Sequence, residues 1–339
     1  MHEWEIVFWD VGQGDATSIR LPDGSFVIVD LGPSAQQGNP LPGWFRRMGN
    51  PPIKLAIVTH SHVDHFGGLT ALCHEDVQRI DTIAVLNDAG LRTQPRSEDL
   101  EMLLQALKAR KDSGKSKIKL IDKAQVLYEN DSLRLRIVHP DDISGDIGLP
   151  ADVNKTSMVL LLECFEGSCA EPLIVFGGDA PFSALKQSCG GLQPFVLTGP
   201  HHGNPQGTKK PKVPIYWRFF KDEMHPRNIF ISVGRRNGYK LPDSNYVKGV
   251  ASAGVKVACS QLSVKCDPNR TTDVFEGSAL SGVDKPAHSV QCRGALRVFA
   301  SATGIRFDES QADFAKAIAG LFPGAPCKCH SLECQQKAQ

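Results

Sequence analysis

Short apolar runs, each closing on polar or glycine-rich residues, recur along this chain and read as strands. Residues 4–9 and 16–20 flank a glycine-rich loop, 10–15, and the turn Pro22-Asp23-Gly24-Ser25 leads into a third strand at 26–29, which predicts an antiparallel meander. Further strands are predicted at 55–58, 80–86, 118–121, 124–128, 133–138, 158–162, 173–176, 195–197 and 228–233, and strands at 297–300 and 305–307 could close a second sheet. Helical spacing begins near Gly67. It returns behind a Ser97 cap, where Leu100, Leu103, Leu104 and Leu107 share a face with Met102 expected in the same packing. Residues 244–251 and the stripe Phe314, Ile318 and Leu321 predict two more helices. The Pro-, Gly- and Asn-rich stretch 33–52 reads as a surface excursion, with Trp44 and Phe45 bordering a cleft.

At 339 residues and 41% hydrophobic content, the chain can bury a large core in one large domain or two ordinary ones. Its apolar runs fall far short of the ~20 residues of a membrane-spanning helix. No basic-then-apolar leader precedes Trp4, so no membrane insertion and a cytoplasmic address are expected. Ten cysteines without regular pairing fit reduced thiols better than a disulfide framework. The net charge of +1 commits the molecule to no polyanion, yet nine basic residues against two acidic ones give the segment from Lys209 to Lys240 a balance of +7.

The chemistry centres on Thr59-His60-Ser61-His62-Val63-Asp64-His65-Phe66-Gly67-Gly68, where a strand empties into three imidazoles and a carboxylate. Neutral imidazole and carboxylate suit zinc, manganese or iron, and alternate side chains of an extended segment aim to one side. His60 and His62 could share one metal while Asp64 and His65 hold a second. Asp179 follows the strand 173–176 and two glycines, the position a carboxylate bridging two metals requires. Asp15 is brought close by the glycine loop, and Asp30, at a strand end, is placed to orient a ligand histidine. Asn154 and Ser157 lead into the strand 158–162 as a polar pair that fixes loop backbone.

The pattern His-x-His-x-Asp-His resembles the signature of the metallo-β-lactamase superfamily. The motifs Asp10-Val11-Gly12-Gln13-Gly14-Asp15-Ala16, Val29-Asp30-Leu31-Gly32, Asn154-Lys155-Thr156-Ser157, Phe176-Gly177-Gly178-Asp179, His201-His202-Gly203, and Ser232-Val233-Gly234 with Asn237 and Tyr239 look like those of the hydrolase domain of ComEC-type competence proteins, standing alone without the membrane channel. The resemblance implies an α/β fold, the four-layer αββα sandwich, with residues 1–260 as the hydrolase domain. Residues 261–339 would complete the fold and add a cysteine-rich tail. It also implies a ligand set of His60, His62, Asp64, His65, Asp179 and His202 around two divalent ions, zinc first and manganese second. His201 would contact phosphate or protonate the leaving group, Asp64 would also orient the nucleophile, and His139 is a candidate third histidine of the first site. Asn204 and Asn237 are candidate substrate or supporting residues. Two departures stand out: Asn204-Pro205 where the family places a serine, and Leu241-Pro242 where it tends to place His-Pro.

Hydroxide held between two metals can attack a phosphodiester in line, and the basic segment would draw a polyanion. A nuclease-type phosphodiesterase with nucleic acid as substrate is therefore the leading expectation. A phosphodiesterase for a cyclic nucleotide or head-group diester, and a non-catalytic metal-containing binding subunit, are the alternatives; no protein partner is indicated. Cys327, Cys329, His330 and Cys334, with Cys259, Cys266, Cys292 and His288 upstream, could hold a further structural zinc, although their spacing is not that of a standard finger.

Overall fold

The computed structural model describes residues 3–33, 39–75, 77–144, 152–166, 169–204, 212–274, 289–301, 304–308, 310–321, 325 and 327. Two sheets face each other. The first has eight strands, ordered β15 (Gly304–Phe307), β14 (Leu296–Ser301), β1 (Trp4–Phe8), β2 (Ala16–Arg20), β3 (Phe26–Leu31), β4 (Ile53–Val58), β5 (Ile80–Leu86) and β6 (Lys117–Ile121). The second has seven, ordered β13 (Lys256–Cys259), β12 (Asn228–Ile231), β11 (Val196–Thr198), β10 (Cys169–Phe176), β9 (Val159–Glu166), β8 (Leu133–His139) and β7 (Val126–Glu129).

Period-two alternation explains the layering. In β1, Trp4, Ile6 and Phe8 point into the core between the sheets, whereas Val7 points with Trp9 to the outer face under helices. In β9, Leu160 and Leu162 face the other sheet while Val159 and Leu161 face helices. Strands buried on both faces need apolar residues at consecutive positions, which is why these runs look continuous in sequence. Each such leucine contributes about 1.5–3 kcal/mol by leaving water.

Helices α1 (Leu41–Arg47), α2 (Val63–His74) and α4 (Glu98–Asp112) cover the first sheet, and α5 (Phe182–Cys189), α6 (Val213–Arg218) and α7 (Ser244–Ser252) cover the second, giving an αββα sandwich. A four-residue α3 (Ala89–Arg92) precedes α4, and α8 (Ser310–Leu321) sends Phe314 and Ile318 into the core between the sheets. β14 pairs antiparallel with β1, so late residues extend the sheet that the first residues begin. Among the described residues, no helix is long and apolar enough to cross a membrane.

Several expectations change. The stretch 33–52 contains α1, and Trp44 and Phe45 pack on Trp9 and Phe26 at the outer face of the first sheet rather than at the cleft. α2 begins at Val63, inside the histidine motif, instead of near Gly67. Ser97 does cap α4, its Oγ accepting from Leu100 N, but Met102 lies outside the packed stripe and is 46% exposed. α5 and α6 were not legible from spacing, because each spans only two turns.

Candidate metal centre

The parallel strands β3, β4, β11 and β12 and strand β10 end together, and their loops carry the polar residues. β4 delivers Thr59 and His60. His62 occupies the N-cap position of α2, and Asp64 and His65 fall in its first turn. β10 delivers Asp179 through Gly177-Gly178, and β11 delivers His201 and His202 in a tight turn, Pro200–Gly203.

The two oxygens of the Asp179 carboxylate divide the donors. Oδ2 lies 3.6 Å from His60 Nε2 and 3.6 Å from His201 Nε2. His60 Nε2 is in turn 3.1 Å from His62 Nδ1. On the other side, Oδ1 lies 3.3 Å from His65 Nε2 and 3.6 Å from His202 Nε2, and the latter is 3.3 Å from Asp64 Oδ2. His60, His65 and Asp179 form one group with donor atoms within 4.8 Å of one another; Asp64, His65 and His202 form a second, and Asp15, Asp30 and His65 a third.

The partner of each ring nitrogen fixes which one carries the proton. His202 Nδ1 lies 3.0 Å from the Ser232 carbonyl, which can only accept, so Nδ1 donates and Nε2 presents its lone pair to the centre. His65 Nδ1 meets Asp30 Oδ2 at 2.8 Å with the same result. Thr59 Oγ1 donates to Asp30 Oδ2 and is thereby left to accept from His60 Nδ1 at 3.2 Å. Three imidazoles thus turn Nε2 inward. His65 Nε2 and His202 Nε2 are buried and meet no hydrogen-bond geometry, so each must either hold a proton against the facing carboxylates or give its lone pair to a cation. The donor set therefore fits divalent metal ions.

Charges balance in a way that a cation would alter. Burial pushes His202 down, but Asp179, Asp15 and Asp64 outweigh it and bring its pKa to about 9. Burial likewise opposes the charged form of His65, and Asp179 and Asp30 overcome it, leaving the pKa well above the usual histidine value. His60, dominated by burial and then by His65, is held well below it. For Asp179, burial is outweighed by His65 and His202, which keep the carboxylate ionised. Burial raises Asp15 to about 6.

Backbone strain accompanies the geometry. His201 and His202 take φ of 49° and 54°, and Asp30 takes 53°, in the left-handed region that side chains other than Asn and Asp rarely adopt. Adjacent histidines on an extended backbone would point apart; in this tight turn both reach Asp179, from opposite oxygens. Gly178, with φ of 49°, lies so close to Ser157 that an added Cβ would stand 2.6 Å from its Oγ.

Not every residue singled out from sequence joins the centre. His139 is half-exposed and its Nε2 lies 3.1 Å from the Lys155 carbonyl; it is absent both from the donor groups and from the cleft lining. Asn237 spends its amide on the Gly234 and Leu241 carbonyls and accepts from Leu241 N, tying a loop together. Asn204 borders the centre, 3.4 Å from His201 Nε2. Spacing did not single out Ser157 as a link, although its Oγ accepts from Asp179 N and lies 3.3 Å from His60 Nδ1. Buried Asp88, which anchors Ser61 N and Leu91 N, carries no sequence signal at all.

A cleft of about 450 Å³ opens over the centre, lined by His62, Asp64, Asp179, His201 and His202 with Gln13, Asn154, Asn204, Tyr239 and Leu241. None of the described basic residues of the segment from Lys209 to Lys240 lines it. Arg236 and Lys240 are exposed beside Tyr239, whereas Arg235 is buried and donates to the carbonyls of Leu262, Asp267 and Arg270. Arg227 stands at the opposite end of β12. Lys209 and Lys210, with Pro205, lie outside the described residues.

Residues 9–141 match the family model of the metallo-beta-lactamase superfamily. The match spans 133 of the 339 residues and includes His60, His62, Asp64 and His65. The chain is 38% identical over 58 residues to the linear primary-alkylsulfatase of Pseudomonas sp. (strain ATCC 19151), a match covering 17% of this chain and 11% of the length of that relative. Among solved structures, yeast PDE1 without ligand aligns at 13% identity and a TM-score of 0.47, covering 78% of this chain and 98% of that one. Zn(2+)-bound PqqB of Methylobacterium extorquens aligns at 13% identity and a TM-score of 0.44, covering 77% and 99%. Igni18, a metallo hydrolase of the archaeon Ignicoccus hospitalis KIN4/I, aligns at 14% and 0.41, covering 76% and 94%.

Proposed function

We propose that this metallo-beta-lactamase domain protein is a phosphodiesterase that cleaves nucleic acid, using His60, His62, Asp64, His65, Asp179 and His202 to hold two divalent cations. The observation that supports it best is the division of histidines between the two oxygens of Asp179 beneath an open cleft. Divalent cations bound there would supply Lewis acidity, lowering the pKa of water from 15.7 to ~7 and offsetting charge on phosphoryl oxygens. The chain's own residues do the rest. Asp30, Thr59 and the Ser232 carbonyl hold the inward-facing tautomers of His65, His60 and His202. Asp64 Oδ2, at the cleft wall, can accept a hydrogen bond from the attacking oxygen and so aim it. His201 lines the cleft, and its Nε2, once protonated in place of accepting from Asn204, could give that proton to a leaving oxygen. Burial lowers its pKa, and the negative phosphate opposite would raise it again. Tyr239, 77% exposed at the rim, offers a face on which a base can stack, and Arg236 and Lys240, exposed and near it in the chain, could meet backbone phosphates.

Purified full chain incubated with single- and double-stranded DNA, RNA and a chromogenic diester, in manganese or zinc, tests the proposal. Cleavage of a nucleic acid at least ~100-fold above an Asp179→Ala control, the loss expected when a group central to the transition state is removed, is the expected result. Intact nucleic acids would overturn it. Cleavage of the small diester alone would select a small-molecule phosphodiesterase, a reading favoured by the cleft volume, which falls in the ~300–1,000 Å³ range of small-ligand sites.

A further inference from the structure

Four cysteines from three chain regions line one cavity, which shares no lining residue with the cleft over the histidine cluster. Cys259 ends β13, Cys266 lies in the turn beyond it, Cys292 lies in the strand-like segment before β14, and Cys327 follows α8. The segments are tied together by backbone. Cys292 N donates to the Ser260 carbonyl at 3.0 Å, Leu262 N donates to the Val290 carbonyl at 2.8 Å, and Gln261 bridges Gln291. The cavity measures about 40 Å³, and its other walls include Leu262, Phe314 and Ile318. None of the four is in a disulfide.

We infer that Cys259, Cys266, Cys292 and Cys327 form a structural zinc site that fastens the segment after α8 to the edge of the second sheet. Thiolates are the ligands that select a soft, tetrahedral d10 cation, and a site with four protein ligands and no open position is structural rather than catalytic. The placement suits that role. Cys327 packs against both the core between the sheets and the core under the outer helices, so one ion would join three chain regions that otherwise meet through short loops. The volume exceeds the ~10–15 Å³ that a water needs, so an ion fits. No three of the four Sγ atoms lie within 4.8 Å of one another, so holding an ion requires the side chains to draw together. Without a cation Cys259 stays a neutral thiol: burial raises its pKa, and Cys292, Cys266 and Cys327 raise it further. Binding zinc releases the thiol protons to solvent and involves no redox change. Cys329, His330, Cys334 and His288 lie outside the described residues.

Cobalt(II) added to metal-stripped full chain provides the test, because thiolate ligation gives a sulfur-to-cobalt charge-transfer absorption that histidine and carboxylate ligands do not. The band is expected in the wild type, retained in Asp179→Ala, and lost in the double substitution Cys266→Ser with Cys292→Ser. Absence of the band in the wild type, or its survival in the double variant, would overturn the inference. Should the variant fail to fold, thiol counting on the wild type decides instead. Zinc-loaded protein should expose fewer reactive thiols than chelator-treated protein, and equal counts would contradict the site.

Discussion

His202 and Ser232 meet at 3.0 Å, imidazole Nδ1 to backbone carbonyl, and this contact aims His202 Nε2 between Asp64 and Asp179. A carbonyl cannot donate, so the tautomer is fixed by the end of β12 and not by the metal. Orientation of these imidazoles is therefore built into the strand ends before any cation arrives.

Asp30 performs for His65 and Thr59 what the Ser232 carbonyl performs for His202. Asp30→Asn keeps the shape and removes the charge that holds His65 Nδ1–H. Affinity for divalent metal should fall about 10–100-fold, the usual cost of losing such a supporting carboxylate. Metal titration followed by calorimetry checks this, and an unchanged affinity would count against the assigned tautomer.

Metal binding should release protons. In the metal-free protein His202 keeps its proton up to about pH 9, above an ordinary histidine near ~6.5. Its charged form adds stability that is complete below ~6.5 and lost as pH rises through about 9. A cation must displace that proton, so apparent affinity should climb from neutral pH and level off above about 9. Calorimetry in buffers of different ionisation enthalpy measures the release directly.

Gly178→Ala should be among the more damaging small substitutions. The new Cβ would meet Ser157 Oγ at 2.6 Å and would have to accept φ of 49°. Strain of about 1–3 kcal/mol is expected, together with displacement of Asp179, so thermal denaturation and metal content should both decline.

Tyr239→Ala removes the exposed ring at the cleft rim. Loss of one stacking contact, about 1–3 kcal/mol, should raise KM for single-stranded nucleic acid while leaving turnover of a small chromogenic diester unchanged. An equal loss on both substrates would place the tyrosine in the fold or the chemistry instead of in substrate binding.

The sheet strands and the histidine motif were legible because strands buried on two faces demand unbroken apolar runs, as in β9 and β10, and because ligands must cluster where those strands end. Helices of two turns were not: α5 and α6 have too few positions for a 3.6-residue period to emerge. Within the site, the histidines and Asp179 announced themselves by type and spacing, but their supports did not. The Ser232 carbonyl has no side-chain identity, Asp88 stands alone among polar residues, and the role of His201 depends on a left-handed turn that no residue in His201-His202 requires. The charge count of the basic segment misjudged Arg235, because a guanidinium that satisfies three carbonyls looks in sequence like one facing solvent.

In the proposed centre Asp179 joins two sets of metal-binding side chains, one through each carboxylate oxygen. Manganese, which prefers oxygen and nitrogen ligands to thiolates, isolates that centre from the cysteine cavity, so the decisive measurement is the manganese bound per chain by metal-stripped protein. Two ions per chain with a spin-coupled resonance, both lost or uncoupled in Asp179→Ala, is the predicted result. A single uncoupled ion in the wild type, or two that persist after the substitution, would contradict it.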